Sequence, residues 1–260
     1  MREEVSVVEL LVARCAGLDV AKDEVVACVR VPAGKSGRRQ EVRTFPTFTS
    51  GLEALAGWLA AEAVTQVVME ATGQYWKPIW YVLEERGFQL LLVNARQVKI
   101  LPGRKTDVAD AAWLAELLEH GLLRGSFVPP AAIRELRDLT RYRKRLIQVH
   151  TAEVQRIQKT LEDAGIKLDS VAADVLGVSG RAMLAALIAG QRDPQVLAEL
   201  ARGRLRNKLP QLRQALRGRF RDHHALLVRL ALGHLEQLEE TIAALDRRVE
   251  EVIAPFAGGP

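Results

Sequence analysis

Cysteine is scarce in the 260-residue chain. Cys15 and Cys28 are the only two, and a chain of this length does not need a disulfide scaffold to fold. Neither cysteine has the spacing of a zinc motif. Aromatic residues are 5%, too few for a dense platform on which single-stranded bases could stack. Long apolar runs are missing as well. The opening stretch MREEVSVVELLVARCAGLDV is acidic early and broken by Glu9 and Arg14, so it reads as neither a signal peptide nor a membrane span. A cytoplasmic location is the resulting expectation. What remains is an ordinary globular balance, 48% hydrophobic and 27% charged, long enough for one large domain or two smaller ones.

Positive charge is unevenly placed. Residues 1–125 hold 15 Lys+Arg against 16 Asp+Glu, and residues 126–260 hold 22 against 16. The excess that could face a polyanion lies in the second half. From Arg202 to Arg221 eight cations occur without one acid, a pattern that suits phosphate contact better than a solvated face. Arg206, Lys208, Arg213 and Arg217 are the candidate nucleic-acid contacts there. A second cluster runs through Arg137, Arg141, Arg143, Lys144 and Arg145. Composition does not distinguish RNA from DNA.

The first third reads as strands. RCAGLDVA and DEVVACVRV are separated by a polar turn, then a loop GKSGRR leads to EVRTFPTF. Short turns imply an antiparallel meander. The pattern then alternates: helix LEALAGWLAAE, strand TQVVME, helix WKPIWYVLEERG, strand FQLLLVN, and a helix opening at Asp107. Alternation implies parallel pairing through right-handed crossovers. The expected fold is α/β, a mixed sheet with flanking helices in the order used by RNase H-like nucleases and by actin-like ATPases. The ATPase fold wants a glycine-rich phosphate loop after its first strand, and Asp19-Val20-Ala21-Lys22 has none.

After Pro129-Pro130 the strands stop and an all-α region is expected. The domains are 1–128 and 129–260, with a basic helical insert over about 169–219. The stretch from Arg134 to Leu161 carries apolar residues at Ile133, Leu136, Ile147, Val154, Ile157 and Leu161, interrupted by Thr140, Arg143 and His150. The last helix steps through Val228, Ala231, Leu235, Leu238, Ile242, Leu245, Val249 and Val252, alternating threes and fours as a coiled-coil seam does. The two helices can close on each other as a hairpin, or the seam can also join subunits into a homo-oligomer.

Chemistry is expected where carboxylates converge. Asp19 lies inside the first strand and Glu70 ends the fourth; in this strand order the two strands are neighbours. Asp107 and Asp110, three apart, share a face of the helix that follows. Alone, that pair reads as an N-cap and its N3 partner. Four converging carboxylates repel unless a divalent cation lies among them, and Mg²⁺ takes hard oxygen ligands while leaving room for phosphate. Two such ions can clamp the attacking and leaving oxygens of phosphodiester transfer.

The ordered segments GLDVAK, VVMEATGQYWKPIW and RKTDVADAAWLAELL resemble those of the DEDD transposases of the insertion-sequence-110 family, and the likeness continues through VSGRAMLAALIAGQRDPQVLAELARGRLRNKLPQL. The resemblance implies an RNase H-like (RuvC-like) first domain, with Asp19, Glu70, Asp107 and Asp110 as a catalytic, Mg²⁺-binding tetrad. It also implies nucleic-acid contacts by Thr72, Tyr75, Lys99 and Lys105, with element and target DNA and a structured guide RNA as partners. Asn94-Ala95 departs from the family's Asn-Pro. The family continues into a second catalytic domain with a nucleophilic serine. Ser179 in GVSGRAM reads as a helix N-cap instead, so the chain is expected to represent the first two domains of such a recombinase. The competing expectation is a non-catalytic nucleic-acid-binding remnant or regulator that dimerises with a full-length partner.

Overall fold

The structure, a computed structural model, describes residues 10–34, 37–94, 98 and 110–256. The chain forms two compact units, residues 1–128 and 129–260.

In the first unit, β1 (Cys15–Val20), β2 (Glu24–Ala33) and β3 (Gly37–Pro46) form the antiparallel meander. The β2–β3 connection is tighter than the sequence suggests. Gly37, Arg38 and Arg39 of GKSGRR already belong to β3, paired with Ala33, Pro32 and Val31. Then come α1 (Thr49–Ala61), β4 (Gln66–Glu70), α2 (Trp76–Glu85), β5 (Gln89–Val93) and α3 (Asp110–Glu119). The sheet order is β3-β2-β1-β4-β5, with β1, β4 and β5 parallel. This is the RNase H-like mixed sheet.

Side chains alternate between the two faces of a strand, and the cores follow that period. Ala16, Leu18 and Val20 of β1, with Val67 and Met69 of β4, join α1 and α2 in one core. Cys15 and Val68 point the other way, into a core with Leu114, Leu117 and Leu118 of α3. Gly17 lies on that second face. A Cβ there would meet the Ala111 carbonyl oxygen at 2.2 Å and the Ala115 nitrogen at 2.5 Å, so glycine alone lets α3 lie directly on β1.

The far end of α3 is pinned by charge. Glu119 is 1% exposed and pairs with Arg30 of β2 and with Arg38 of β3, the latter at 2.7 Å. Its backbone oxygen accepts from the N–H groups of Leu11 and Val12 at 3.0 and 3.1 Å. Burying this carboxylate is tolerable because two guanidinium groups meet it.

The second unit is helical: α4 (Ala131–Asp163), α5 (Val178–Ile188), α6 (Pro194–Glu199), α7 (Leu209–Ala215) and α8 (Asp222–Ile253), with 3₁₀ segments at Leu168–Ser170, Gly203–Lys208 and Ala254–Phe256. The helix α6 starts as the sequence dictates. Asp193 accepts from the Gln195 N–H at its N-cap, and Pro194 occupies the first turn, where no N–H is needed. The helices α4 and α8 form an antiparallel hairpin within the chain. Cross-pairs run Arg143–Asp246, His150–Glu239, Glu153–His234 and Asp163–His224, so residues later in α4 meet residues earlier in α8. Val228, Ala231, Leu235 and Leu238 are buried in the seam, and Ile242, Leu245, Val249 and Val252 are half-buried. On α4 the seam departs from the expected set at a single residue, Ile147. Ile147 is 39% exposed, while Leu139 and Leu146 are half-buried together with the expected Ile133, Leu136 and Val154. Arg143, His150 and Glu153, which break the apolar pattern, occupy inward positions and find charged partners across the seam. The end of the hairpin formed by the last turns of α4 and the first turns of α8 rests on the core of the insert, where Met183, Leu184, Leu187, Leu197 and Leu212 pack with Ile157 and Leu161.

Candidate functional site

Strand register brings the first two carboxylates together. Parallel β1 and β4 pair as far as Leu18–Met69. One residue further along each strand come Asp19 and Glu70. Both lie on the face that carries α3, Asp19 two residues after Gly17 and Glu70 two after Val68. Asp19 is exposed and Glu70 half-buried, although each is flanked by fully buried neighbours on the preceding residue.

The third carboxylate arrives by helix direction. Cys15 donates its thiol to the Ala115 carbonyl at 3.4 Å, while Gly17 abuts Ala111. Moving forward along β1 therefore means moving backward along α3. Asp110, the first described residue of α3, belongs at the Asp19 end, and it is half-buried. Glu119 belongs at the opposite end, against Arg30, which pairs in register with Cys15. Asp19, Glu70 and Asp110 each have a partner in the structure. Asp107, Lys99 and Lys105 lie outside the described residues.

After Glu70 the chain turns sharply. The Thr72 N–H donates to the Glu70 carbonyl at 2.9 Å, the Tyr75 N–H to the Thr72 carbonyl at 3.1 Å, and Gly73 adopts φ 52°. This turn leaves Thr72 and Tyr75 exposed beside the end of β4. The two cysteines behave as core residues. Burial is the main cause that pushes the Cys15 thiol up to about 12 and the Cys28 thiol up to about 11, so neither is a nucleophile at neutral pH.

In the helical unit the candidate cations separate. Arg206 and Arg213 both pair with Glu199, at 3.5 and 3.1 Å. Lys208 Nζ donates to the Val171 carbonyl at 3.0 Å, and Arg217 is exposed. Ser179 is not the N-cap of α5. Gly177 holds that position without a side-chain hydrogen bond, and the Ser179 hydroxyl accepts from the Arg202 N–H at 2.9 Å. A serine-then-helix pattern fits either position, and only the tertiary contact decides.

Sequence reasoning missed one grouping. Asp163, His223 and His224 each offer a ligand atom, all within 4.8 Å of one another. The chemistry argues against a metal. His224 Nδ1 accepts from the Arg221 N–H at 3.0 Å, which leaves the ring proton on Nε2, facing Asp163 at 2.8 Å. A cation on Nε2 would drive that proton to Nδ1, against the Arg221 N–H. The group is a latch that caps α8 and ties it to the end of α4. The adjacent His-His pair was the signal, but its carboxylate partner lies 60 residues away in sequence.

Two solved structures are similar to part of the chain at low identity. The Thermus thermophilus RuvC structure is 14% identical and covers 44% of this chain and 99% of its own, with a TM-score of 0.33. T. thermophilus RuvC in complex with a Holliday junction substrate has the same identity and coverage, with a TM-score of 0.31. No curated protein matches the chain by sequence. No helix among the described residues is long and apolar enough to cross a membrane. The family profile of the insertion-sequence-110 DEDD transposases, described as Transposase, matches residues 16–166. That span exceeds half of the chain and contains both strands and the helix that carry the carboxylates, so the chain belongs to the DEDD transposases of the insertion-sequence-110 family.

Proposed function

We propose that the first unit is a metal-dependent DNA-cleaving domain of an insertion-sequence transposase. Asp19, Glu70 and Asp110 hold the cation, and Asp107 joins them by the family resemblance alone. The observation that carries the reading is the shared sheet end. Two carboxylates at the C-terminal ends of neighbouring strands, Asp19 one residue short of the end of β1 and Glu70 at the end of β4, stand side by side on the face covered by α3, and α3 runs so that its acidic start belongs at their end.

The donor set fits a hard divalent cation such as Mg²⁺, since every candidate ligand atom is a carboxylate oxygen. When bound, such an ion stabilises charge on the phosphodiester and activates its nucleophile. The protein's own part is to fix the carboxylates on rigid strands and to keep α3 close through Gly17. Exposed Thr72 and Tyr75, in the turn after Glu70, are suited to contact the nucleic-acid strand entering the site.

The partners in this reading are DNA, including the element ends and target, and a guide RNA as in the family. A second copy associates through the long-helix hairpin, beside which Leu226, Leu227 and Leu230 of α8 stand 50–62% exposed. The junction-bound RuvC structure supports branched DNA as a first substrate to try.

The test uses the full chain with Mg²⁺ on supercoiled and branched DNA. Slow nicking is expected that chelation abolishes. Asp19→Asn and Glu70→Gln should remove it while leaving most of the DNA affinity, because neither substitution touches the Lys and Arg side chains that meet phosphate. Wild-type binding without any cleavage would support the regulator reading instead.

A further inference from the structure

The eight cations between Arg202 and Arg221 divide by what surrounds them. Arg206 and Arg213 are spent on Glu199. Arg202, Arg204 and Lys208 instead line one cavity of about 550 Å³, walled by residues 171–174 and 177–179. All three are exposed. The side chains of Arg202 and Arg204 form no ion pair or hydrogen bond among the described residues.

The cavity is built rather than incidental. The hydrogen bond from the Arg202 N–H to Ser179 ties the 3₁₀ segment to α5, and Lys208 reaches across to the Val171 carbonyl. Gly203, at φ 53°, makes the turn between the two arginines in a conformation that other residues rarely adopt. One acid, Asp174, lines the same cavity, and its Oδ1 already accepts from the Leu176 N–H at 2.9 Å. Three cations against one acid leave a net positive site.

A second cavity of about 520 Å³ lies where Gly165 meets Gly218, and Arg217 and Arg219 line it with Asp163. Five of the eight cations thus line two separate cavities on one unit. Repeated cationic pockets suit a polymer of phosphates better than a single small anion.

We propose that the cavity lined by Arg202, Arg204 and Lys208 is a phosphate-binding groove for a nucleic-acid backbone. It rests on the nucleic-acid reading above and assigns contacts to Arg202 and Arg204 that the charge pattern alone did not single out. Duplex DNA and single-stranded RNA both offer the ligand chemistry, so both are tested.

The experiment measures the affinity of the full chain for a DNA duplex and for a single-stranded RNA across a salt series. Arg202→Gln/Arg204→Gln should reduce the slope of log affinity against log salt by about 1.8 on the duplex, or about 1.4 on the single strand, whichever the groove holds. Lys159→Gln/Arg247→Gln removes the same charge from the long helices and should leave the slope unchanged. Arg204→Glu, a single surface change with the same loss of net charge, should also weaken binding, and its circular dichroism should match wild type. Equal slope changes in the two double variants would reduce the effect to diffuse charge and overturn the groove, leaving the nucleic-acid reading intact. An unchanged slope in Arg202→Gln/Arg204→Gln would do the same. If wild type binds neither polymer, the nucleic-acid reading fails and the groove with it.

Discussion

Gly17 connects fold and site through one missing atom. Because backbone of α3 occupies the space of its absent Cβ, even Gly17→Ala must push the helix outward. Overpacking of this kind costs typically about 1–3 kcal/mol, and backbone obstacles put this case near about 3 kcal/mol. Urea denaturation should show a clearly lowered midpoint, and a midpoint equal to wild type would mean that α3 does not lie on β1 as described. Cys15 and Cys28 make an independent probe of the same layer. With their thiols pushed up to about 12 and about 11 by burial, alkylation at neutral pH should be negligible in the folded chain and rapid in denaturant. Fast native-state labelling of either would contradict the buried sheet. The role of Gly17 was only partly legible in the sequence. A glycine inside an apolar strand marks close approach, but which backbone approaches it depends on a helix about a hundred residues later.

Elements with strong periodicity were readable, and those whose faces are shared were not. The short, mostly apolar runs of β1 and β2 and the heptad steps of α8 show directly in the residue pattern, because each is buried along most of its length or on one regular stripe. The helix α4 resisted the same reading because Arg143, His150 and Glu153 look like solvent positions until α8 supplies their partners. That pairing predicts a pH dependence. The Arg143 guanidinium, by hydrogen bond and charge, holds the Asp246 carboxyl below its usual value of 3.8. A group with a depressed folded value stabilises the fold above its unfolded value and loses that contribution as pH falls through the folded one. Asp246→Asn should therefore lower the urea midpoint at neutral pH, and the difference from wild type should shrink as pH falls below 3.8. Equal midpoints at neutral pH would show that the half-exposed pair adds nothing, as many solvent-screened pairs do.

At the scale of the whole molecule, the sequence made the order of strands legible and therefore the meeting of Asp19 with Glu70. It did not show which face they share with α3, because that depends on alternation counted from Gly17 and Val68 and on the direction in which α3 crosses β1. Nor did it reveal that Glu199 absorbs two of the four basic candidates, since the acid precedes the acid-free run by sequence and folds back onto it. The central claim is that carboxylates from β1, β4 and α3 form one cation site. Titration of the full chain with Mn²⁺, followed by the loss of its free-ion electron paramagnetic resonance signal, tests this most directly. Binding that Mg²⁺ displaces is expected. Removing a ligand should cost at least as much as losing a supporting group around a metal site, about 10–100-fold in affinity, for Asp19→Asn and for Glu70→Gln alike. Substituting His223 should change nothing. Mn²⁺ affinity that is unaffected by Asp19→Asn and Glu70→Gln, in variants that retain the wild-type circular dichroism, would contradict the claim.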